Sequence, residues 1–227
     1  MTYVETSGGA DWPRPTACPV CRGVYLAPLA DIDARRYWRC VTCEARFLDP
    51  AHRLSKGDEH RHYLVHKNDP DDPRYRRFMS KLVEPLLARV PARASGLDYG
   101  AGPGPVAAAM MREAGHNVRL YDPFFNPDQD ALNGAYDFII VSEAAEHFHN
   151  PADEFDVLAK MLHPGGWLGV MTSFLIDDEG FAAWRYRMDP THVVFYRAET
   201  FGHIAAARGL VCEIPVKDVA LLRKPSP

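Results

Sequence analysis

The stretch Gly96-Leu97-Asp98-Tyr99-Gly100-Ala101-Gly102-Pro103-Gly104 constrains this chain more than any other. An apolar lead-in, an acid and alternating glycines are what a buried parallel strand needs to turn sharply into a helix. Glycine tolerates φ > 0 and lets a ligand approach the backbone closely. Val106 to Ala114 then reads as a helix that Gly115 ends as a left-handed cap, so the glycines stand at a helix N-terminus. The order differs from the dinucleotide fingerprint G-x-G-x-x-G. Here the acid precedes the glycines, and Pro103 and Pro105 stiffen the helix start where a pyrophosphate would want N–H donors. The loop is a cofactor-binding edge that disfavours a pyrophosphate.

The segments that follow alternate as an open α/β sheet requires. Asn117 to Asp122 reads as a second strand ending in an acid about 20 residues past the glycines, where a carboxylate can accept the ribose hydroxyls of a nucleoside. Tyr136 to Ser142 and Trp167 to Thr172 are apolar strands, separated by an amphipathic helix from Asp153 to Leu162 and a turn at His163-Pro164-Gly165-Gly166. Ala198 to Arg208 is a helix, and Leu210 to Pro215 and Asp218 to Arg223 are two strands joined by a short turn. The fold class is α/β: a Rossmann-like doubly wound sheet with an antiparallel last strand, plus a small N-terminal zinc ribbon argued below.

The D-x-G-x-G-x-G loop, the acid at Asp122 and the run Leu162-His163-Pro164-Gly165-Gly166-Trp167-Leu168 together resemble class I S-adenosylmethionine (SAM) methyltransferases, from Gly96 to the C-terminus. The resemblance implies SAM as cofactor, with Asp98 near its amino group and Gly100, Ala101 and Gly102 making room for its methionine part. It also implies that Asp122 and Pro123 lie beside the ribose and that Glu143 lines the cofactor site. One departure stands out. Only Pro123 to Ala135 separate the second and fourth strands, so the usual third-strand region is shortened. Phe124, Phe125, Asp128 and Asp130 are the candidates for adenine contacts.

Ser142-Glu143-Ala144-Ala145-Glu146-His147-Phe148 carries the most chemistry. On a helix, Glu143, Glu146 and His147 share one face at i, i+3 and i+4, at the carboxyl end of a strand where such sheets bind ligands. The face reads as a metal site, as a general base with its orienting partners, or as a solvated helix start whose acids suit the dipole. Asp189-Pro190-Thr191-His192 adds a histidine in a loop that returns over the same sheet edge. E-x-x-E-H with a later T-H resembles the O-methyltransferases of ubiquinone biosynthesis and the small-RNA 2′-O-methyltransferases. That likeness implies that Glu143, Glu146, His147 and His192 hold Mg²⁺ or another divalent metal beside the methyl acceptor and are the catalytic residues.

Cys18-Pro19-Val20-Cys21 and Cys40-Val41-Thr42-Cys43 have the spacing of two knuckles presenting four thiolates to one Zn²⁺. With every position taken by Cys, the site is closed and structural. Residues 18–50 are the zinc ribbon, with Tyr37-Trp38-Arg39 and Phe47-Leu48 as short strands. Residues 1–17 are irregular, and 94–227 form the SAM-binding domain. Residues 51–93 join them as a solvated linker containing His60, His62 and His66, then a packing helix from Arg74 to Val90 that Pro85 kinks or breaks. Cys212 is inert packing in a late strand.

Net charge is −4 with a pI near 6.2, so no global basic field draws the chain to nucleic acid or to an anionic membrane. No apolar run approaches the roughly 20 residues that span a bilayer. The expectation is a cytoplasmic enzyme that O-methylates a small molecule, without membrane partners. RNA- or protein-directed methylation and a non-catalytic SAM-binding interaction module are the alternatives.

Overall fold

The computed structural model describes residues 14–64 and 69–226. Most of the stretch expected to be irregular at 1–17 lies outside the described residues, and so does His66. The chain begins with strands β1 (Leu26–Ile32), β2 (Arg35–Cys40) and β3 (Arg46–Leu48), then helices α1 (Lys56–Tyr63) and α2 (Pro73–Leu87). It continues through β4 (Ser95–Tyr99), α3 (Val106–Glu113), β5 (Asn117–Tyr121), β6 (Tyr136–Ser142), α4 (Pro151–Met161) and β7 (Leu162–Met171). The last elements are β8 (Val194–Phe195), α5 (Ala198–Ala206), β9 (Val211–Val216) and β10 (Val219–Arg223).

The main sheet has six strands in the order β5-β4-β6-β7-β10-β9. Strands β5, β4, β6 and β7 are mutually parallel, and β10 runs antiparallel to both β7 and β9. Because successive side chains alternate across a strand, β6 feeds two cores at once. Phe138 and Ile140 pack under α2 and α3 with Met79, Leu82, Leu86 and Met111. Ile139 and Val141 face α4 and α5 with Phe155, Leu158, Phe201 and Ile204. An Asp122↔Asn126 bridge and a 3₁₀ turn at Gln129–Asn133 fill the shortened interval, and the sheet ends at β5.

Three local expectations are corrected. Strand β7 starts at Leu162 and takes in the turn expected at His163–Gly166, because Gly165 donates to Lys224 O and Lys224 donates to Gly166 O, extending the pairing. Helix α2 runs through Pro85 unbroken to Leu87, since that proline sits in the last turn. The expected linker contains α1, which Ser55 caps by accepting from Asp58 N at 3.2 Å. This helix carries almost no apolar side chains, so periodicity does not reveal it. It is held by Glu59 against His149 at 2.6 Å and by His60 stacked on Phe124, with ring centroids 4.9 Å apart.

The N-terminal strands form a second sheet, and its fourth strand comes from the far end of the chain, in the order β1-β2-β3-β8. Side chains of the aromatic-rich segment 173–193, inserted between β7 and β8, fasten the two together. The Arg46 guanidinium, 1% exposed, pairs with Asp178 at 2.6 Å, and the buried Arg187 donates to Tyr37 Oη at 3.3 Å. Phe181 packs edge-on against Tyr37 at 5.1 Å, so the aromatic insertion covers this sheet.

Candidate functional site

A cavity of about 870 Å³ opens at the carboxyl ends of β4, β5 and β6, with α1 along one side. Its floor is the glycine loop. Gly100 and Ala101 donate to Tyr121 O at 2.8 and 3.1 Å, which bends the chain back across the end of β5. Gly100 has φ +77° and Gly102 φ +61°, and a Cβ on Gly100 would lie 2.7 Å from Ala144 Cβ. Both the turn and the close approach therefore require glycine at position 100.

Asp98 is 1% exposed on this wall, and its Oδ1 has no hydrogen-bond partner. Burial, with help from the Asp122 charge, pushes its pKa up to about 7. An orphaned buried carboxylate oxygen at a cavity wall fits a cationic group such as an ammonium. Asp122 Oδ1 accepts from the N–H groups of Phe124 and Phe125 at 2.8 and 2.9 Å, and its Oδ2 accepts from Gly102 N at 2.9 Å. Three of about four lone-pair positions are filled, so a ribose would gain one further acceptor unless Gly102 lets go. Pro123, Phe124 and Phe125 line the cavity. Asp128 and Asp130 do not, and Asp128 is tied to Arg119 at 2.6 Å.

The acid and histidine cluster does not form on a helix. Glu143 takes φ +47° while donating its N–H to Met171 O at 2.8 Å, and only Ala145–His147 turn, as 3₁₀. That bend removes the i, i+3, i+4 geometry and splits the expected quartet. One ligand atom each from Glu146, His147 and His192 lie within 4.8 Å of one another. Glu143 is outside this group but lines the same cavity.

The two histidines are oriented from behind. His147 Nδ1 donates to Thr191 O at 3.1 Å and His192 Nδ1 donates to Tyr186 O at 2.7 Å. Nδ1 being the donor in both rings, Nε2 is the atom each turns toward Glu146, and burial lowers the His147 pKa to about 4. These Nε2 atoms lie 3.9 and 4.0 Å from Glu146 Oε1, and neither Glu146 oxygen, fully buried, has a hydrogen-bond partner. Twice a typical metal–ligand bond is about 4.2 Å, so a single cation can reach both members of each pair. Carbonyl-anchored imidazoles around an unsatisfied carboxylate are how metal ligands are commonly supported. Burial and the neighbouring Glu146 raise Glu143 to about 9, so these two acids resist carrying two charges without a cation.

Sequence reasoning missed the α1 contribution and did not single out Tyr186 within the aromatic segment from Ser173 to Tyr186. Tyr63 stands edge-on to His147 at 5.3 Å, and the Tyr186 ring lies 4.2 Å from that of His192. The signals for α1 were its Ser55 cap, the acids Asp58 and Glu59 in its first turn and the basic residues of its last turn.

At the other end of the N-terminal sheet, the Sγ atoms of Cys18, Cys21, Cys40 and Cys43 lie within 4.8 Å of one another. The Cys18–Cys43 and Cys21–Cys40 separations are 3.7 and 3.6 Å. A tetrahedron with 2.3 Å Zn–S bonds has edges of about 3.8 Å, whereas a disulfide would need about 2.0 Å. Backbone N–H groups of Val20 and Gly23 point at Cys18 and Cys21 sulfur, each at 3.4 Å. The sulfurs fit a tetrahedral ion.

A family model described as a methyltransferase domain matches residues 72–213. Curated relatives include the ubiquinone biosynthesis O-methyltransferases of Shewanella pealeana, 32% identical over 87 residues, and Pectobacterium atrosepticum, 35% identical over 80 residues. These matches cover 38% and 35% of this chain, and 37% and 33% of the relatives' own lengths. Among solved structures, N-methyltransferase NodS from Bradyrhizobium japonicum, in complex with S-adenosylhomocysteine (SAH), superposes with a TM-score of 0.50 at 17% identity. That alignment covers 74% of this chain and 98% of that one. No helix among the described residues is long and apolar enough to cross a membrane.

Proposed function

This chain belongs to the methyltransferase-domain family, and on that premise we propose that it is a SAM-dependent O-methyltransferase whose small-molecule acceptor is held through a divalent cation. The observation that carries the cation reading is the doubly unsatisfied, fully buried Glu146 carboxylate between two imidazole Nε2 atoms. Mixed oxygen and nitrogen donors suit Mg²⁺, Mn²⁺, Fe²⁺ or Zn²⁺. The same carboxylate–imidazole motif underlies the likeness to the ubiquinone-type O-methyltransferases, which favours an acceptor with two adjacent oxygens.

The cofactor supplies an electrophilic methyl group on a sulfonium, and a bound cation lowers the pKa of an acceptor hydroxyl. The protein's own residues align the two. Asp98 holds the cofactor's ammonium, Gly100 to Gly102 leave space for its methionine part, and Asp122 takes a ribose hydroxyl. Glu146, His147 and His192 would hold the cation that fixes the acceptor oxygen, and Glu143, ionised once that positive charge offsets the Glu146 carboxylate, would receive the hydroxyl proton. Helix α1 covers this region with Tyr63 and excludes water from the displacement. Calorimetry with SAM and SAH, then with Mn²⁺ in their presence, tests the assignment. A protein that binds neither cofactor form is not a methyltransferase, and one that binds SAH but no cation retains only a metal-free version.

Asp98 gives a pH signature. Its pKa near 7 in the free protein must fall when an ammonium is bound, so binding releases a proton. SAH affinity should be full above pH 7 and drop about tenfold per pH unit below it. The Asp98→Asn variant should bind weakly with a flat profile, and a wild-type profile flat from pH 5 to 8 would remove Asp98 from this role.

We also assign a structural Zn²⁺ to the four cysteines. Protein purified without added metal should contain about one tightly held zinc per chain by elemental analysis, and Cys40→Ser should lower the folded yield. Absence of metal together with freely titratable thiols would contradict this.

A further inference from the structure

The cysteine module and the Glu146 cluster are joined most directly through Val193. The second knuckle leads straight into β3, with Cys40 donating its N–H to Ala45 O at 2.9 Å. Strand β3, fully buried, pairs with β8 through Arg46↔Phe195 and Phe47↔Val194. At the end of that ladder Leu48 N donates to Val193 O at 2.9 Å, and Val193 N donates to Glu146 O at 2.9 Å. His192 is the preceding residue. Next along, Tyr196 Oη donates to Ala145 O at 2.8 Å. The first knuckle reaches the same loop from its other end, because Ala152, in the first turn of α4, donates to Pro19 O at 2.9 Å.

We propose that the four-cysteine module is a positioning element of the Glu146–His147–His192 site, setting the reach of His192 and Glu146 through the Leu48–Val193–Glu146 hydrogen-bond chain. This inference rests on reading that trio as a cation site. His192 and Glu146 come from segments far apart in sequence, and neither lies on a long regular element. His192 leads into the two-residue β8 and Glu146 lies in a three-residue 3₁₀ turn. A ligand set must be held to within about 0.5 Å to bind an ion well, and such short elements need an outside frame. Strand β3 provides it, and the four thiolates brace β3. The glycine loop and Asp98 hang on β4 and β5, and their tie to the module is less direct, running through the Tyr99–Glu154 hydrogen bond to α4. Bracing should therefore govern cation affinity while leaving cofactor affinity alone.

Leu48→Pro removes the N–H that Val193 O accepts. In an antiparallel ladder the N–H and C=O of one residue face the same neighbour, so the substitution spares the bonds to β2. Leu48→Ala keeps the N–H and serves as its control. Mn²⁺ binding followed by electron paramagnetic resonance, with Glu146→Gln to identify the site, and SAH binding by calorimetry are the two readouts. In Leu48→Pro, and in the Cys212→Ser protein after a mercurial has displaced the metal of the four-cysteine site, Mn²⁺ affinity should fall about 30-fold or more. SAH affinity should stay within about threefold in both, and Leu48→Ala should keep both affinities. Unchanged Mn²⁺ affinity after both treatments overturns the inference. So does a parallel loss of SAH binding, which makes the module a support of the whole fold. Wild-type protein with no Mn²⁺ binding sensitive to Glu146→Gln would instead remove the cation reading, and this inference with it.

Discussion

Glu146→Gln is expected to slow methyl transfer by roughly 10²–10³-fold, the rate equivalent of the several kcal/mol that a cation supplies to a developing alkoxide. SAH affinity should stay within about threefold, because the residues assigned to the cofactor are Asp98, the glycine loop and Asp122. Stability should move the other way. The wild-type carboxylate is fully buried with both oxygens unsatisfied, and in EDTA a neutral side chain relieves a penalty of about 1–3 kcal/mol. A metal-free thermal melt of the variant should therefore be higher than that of the wild type. EDTA on the wild type should reproduce the activity loss. Turnover that resists EDTA yet has a pH-dependent rate would point to Glu143 or His147 as a general base without a metal.

The sheet was legible in the sequence because its signals are local. Glycines after an apolar strand, acids at strand ends and apolar runs bounded by turns each report their own segment. The cysteine cluster was legible for the same reason, since two knuckles are short motifs whose spacing sets the geometry. What was hidden depends on contacts between distant residues. Helix α1 has no apolar face, and its supports, His149 and Phe124, lie far along the chain. The pairing of β3 with β8 joins segments with no shared pattern. At Glu143 the course of the backbone was not legible. A bond to Met171 O and a positive φ decide the local course there, against the helical preference of Glu-Ala-Ala-Glu. The result is a trio in place of a quartet, with Glu143 on the same cavity but outside the convergent group.

Gly100→Ala should be the most damaging small substitution in the cofactor loop. Two costs meet at this position. The backbone at φ +77° charges any L-residue about 1–2 kcal/mol, and the new methyl would lie 2.7 Å from Ala144 Cβ, an overlap worth about 1–3 kcal/mol in a packed site. Their sum, roughly 2–5 kcal/mol, divides between global stability and the opening of the loop away from β5, so SAH affinity should fall by about 10-fold or more. The two contributions separate in a double variant. Ala144→Gly removes the opposing methyl, so adding it to Gly100→Ala should recover the steric part and leave the backbone part. Chemical denaturation of the four proteins measures that coupling, with an expected interaction energy of about 1–3 kcal/mol. Additive effects would mean that the loop already relaxes away from Ala144, and the close approach between the glycine turn and the Glu143–Glu146 loop would then not be what demands glycine at position 100.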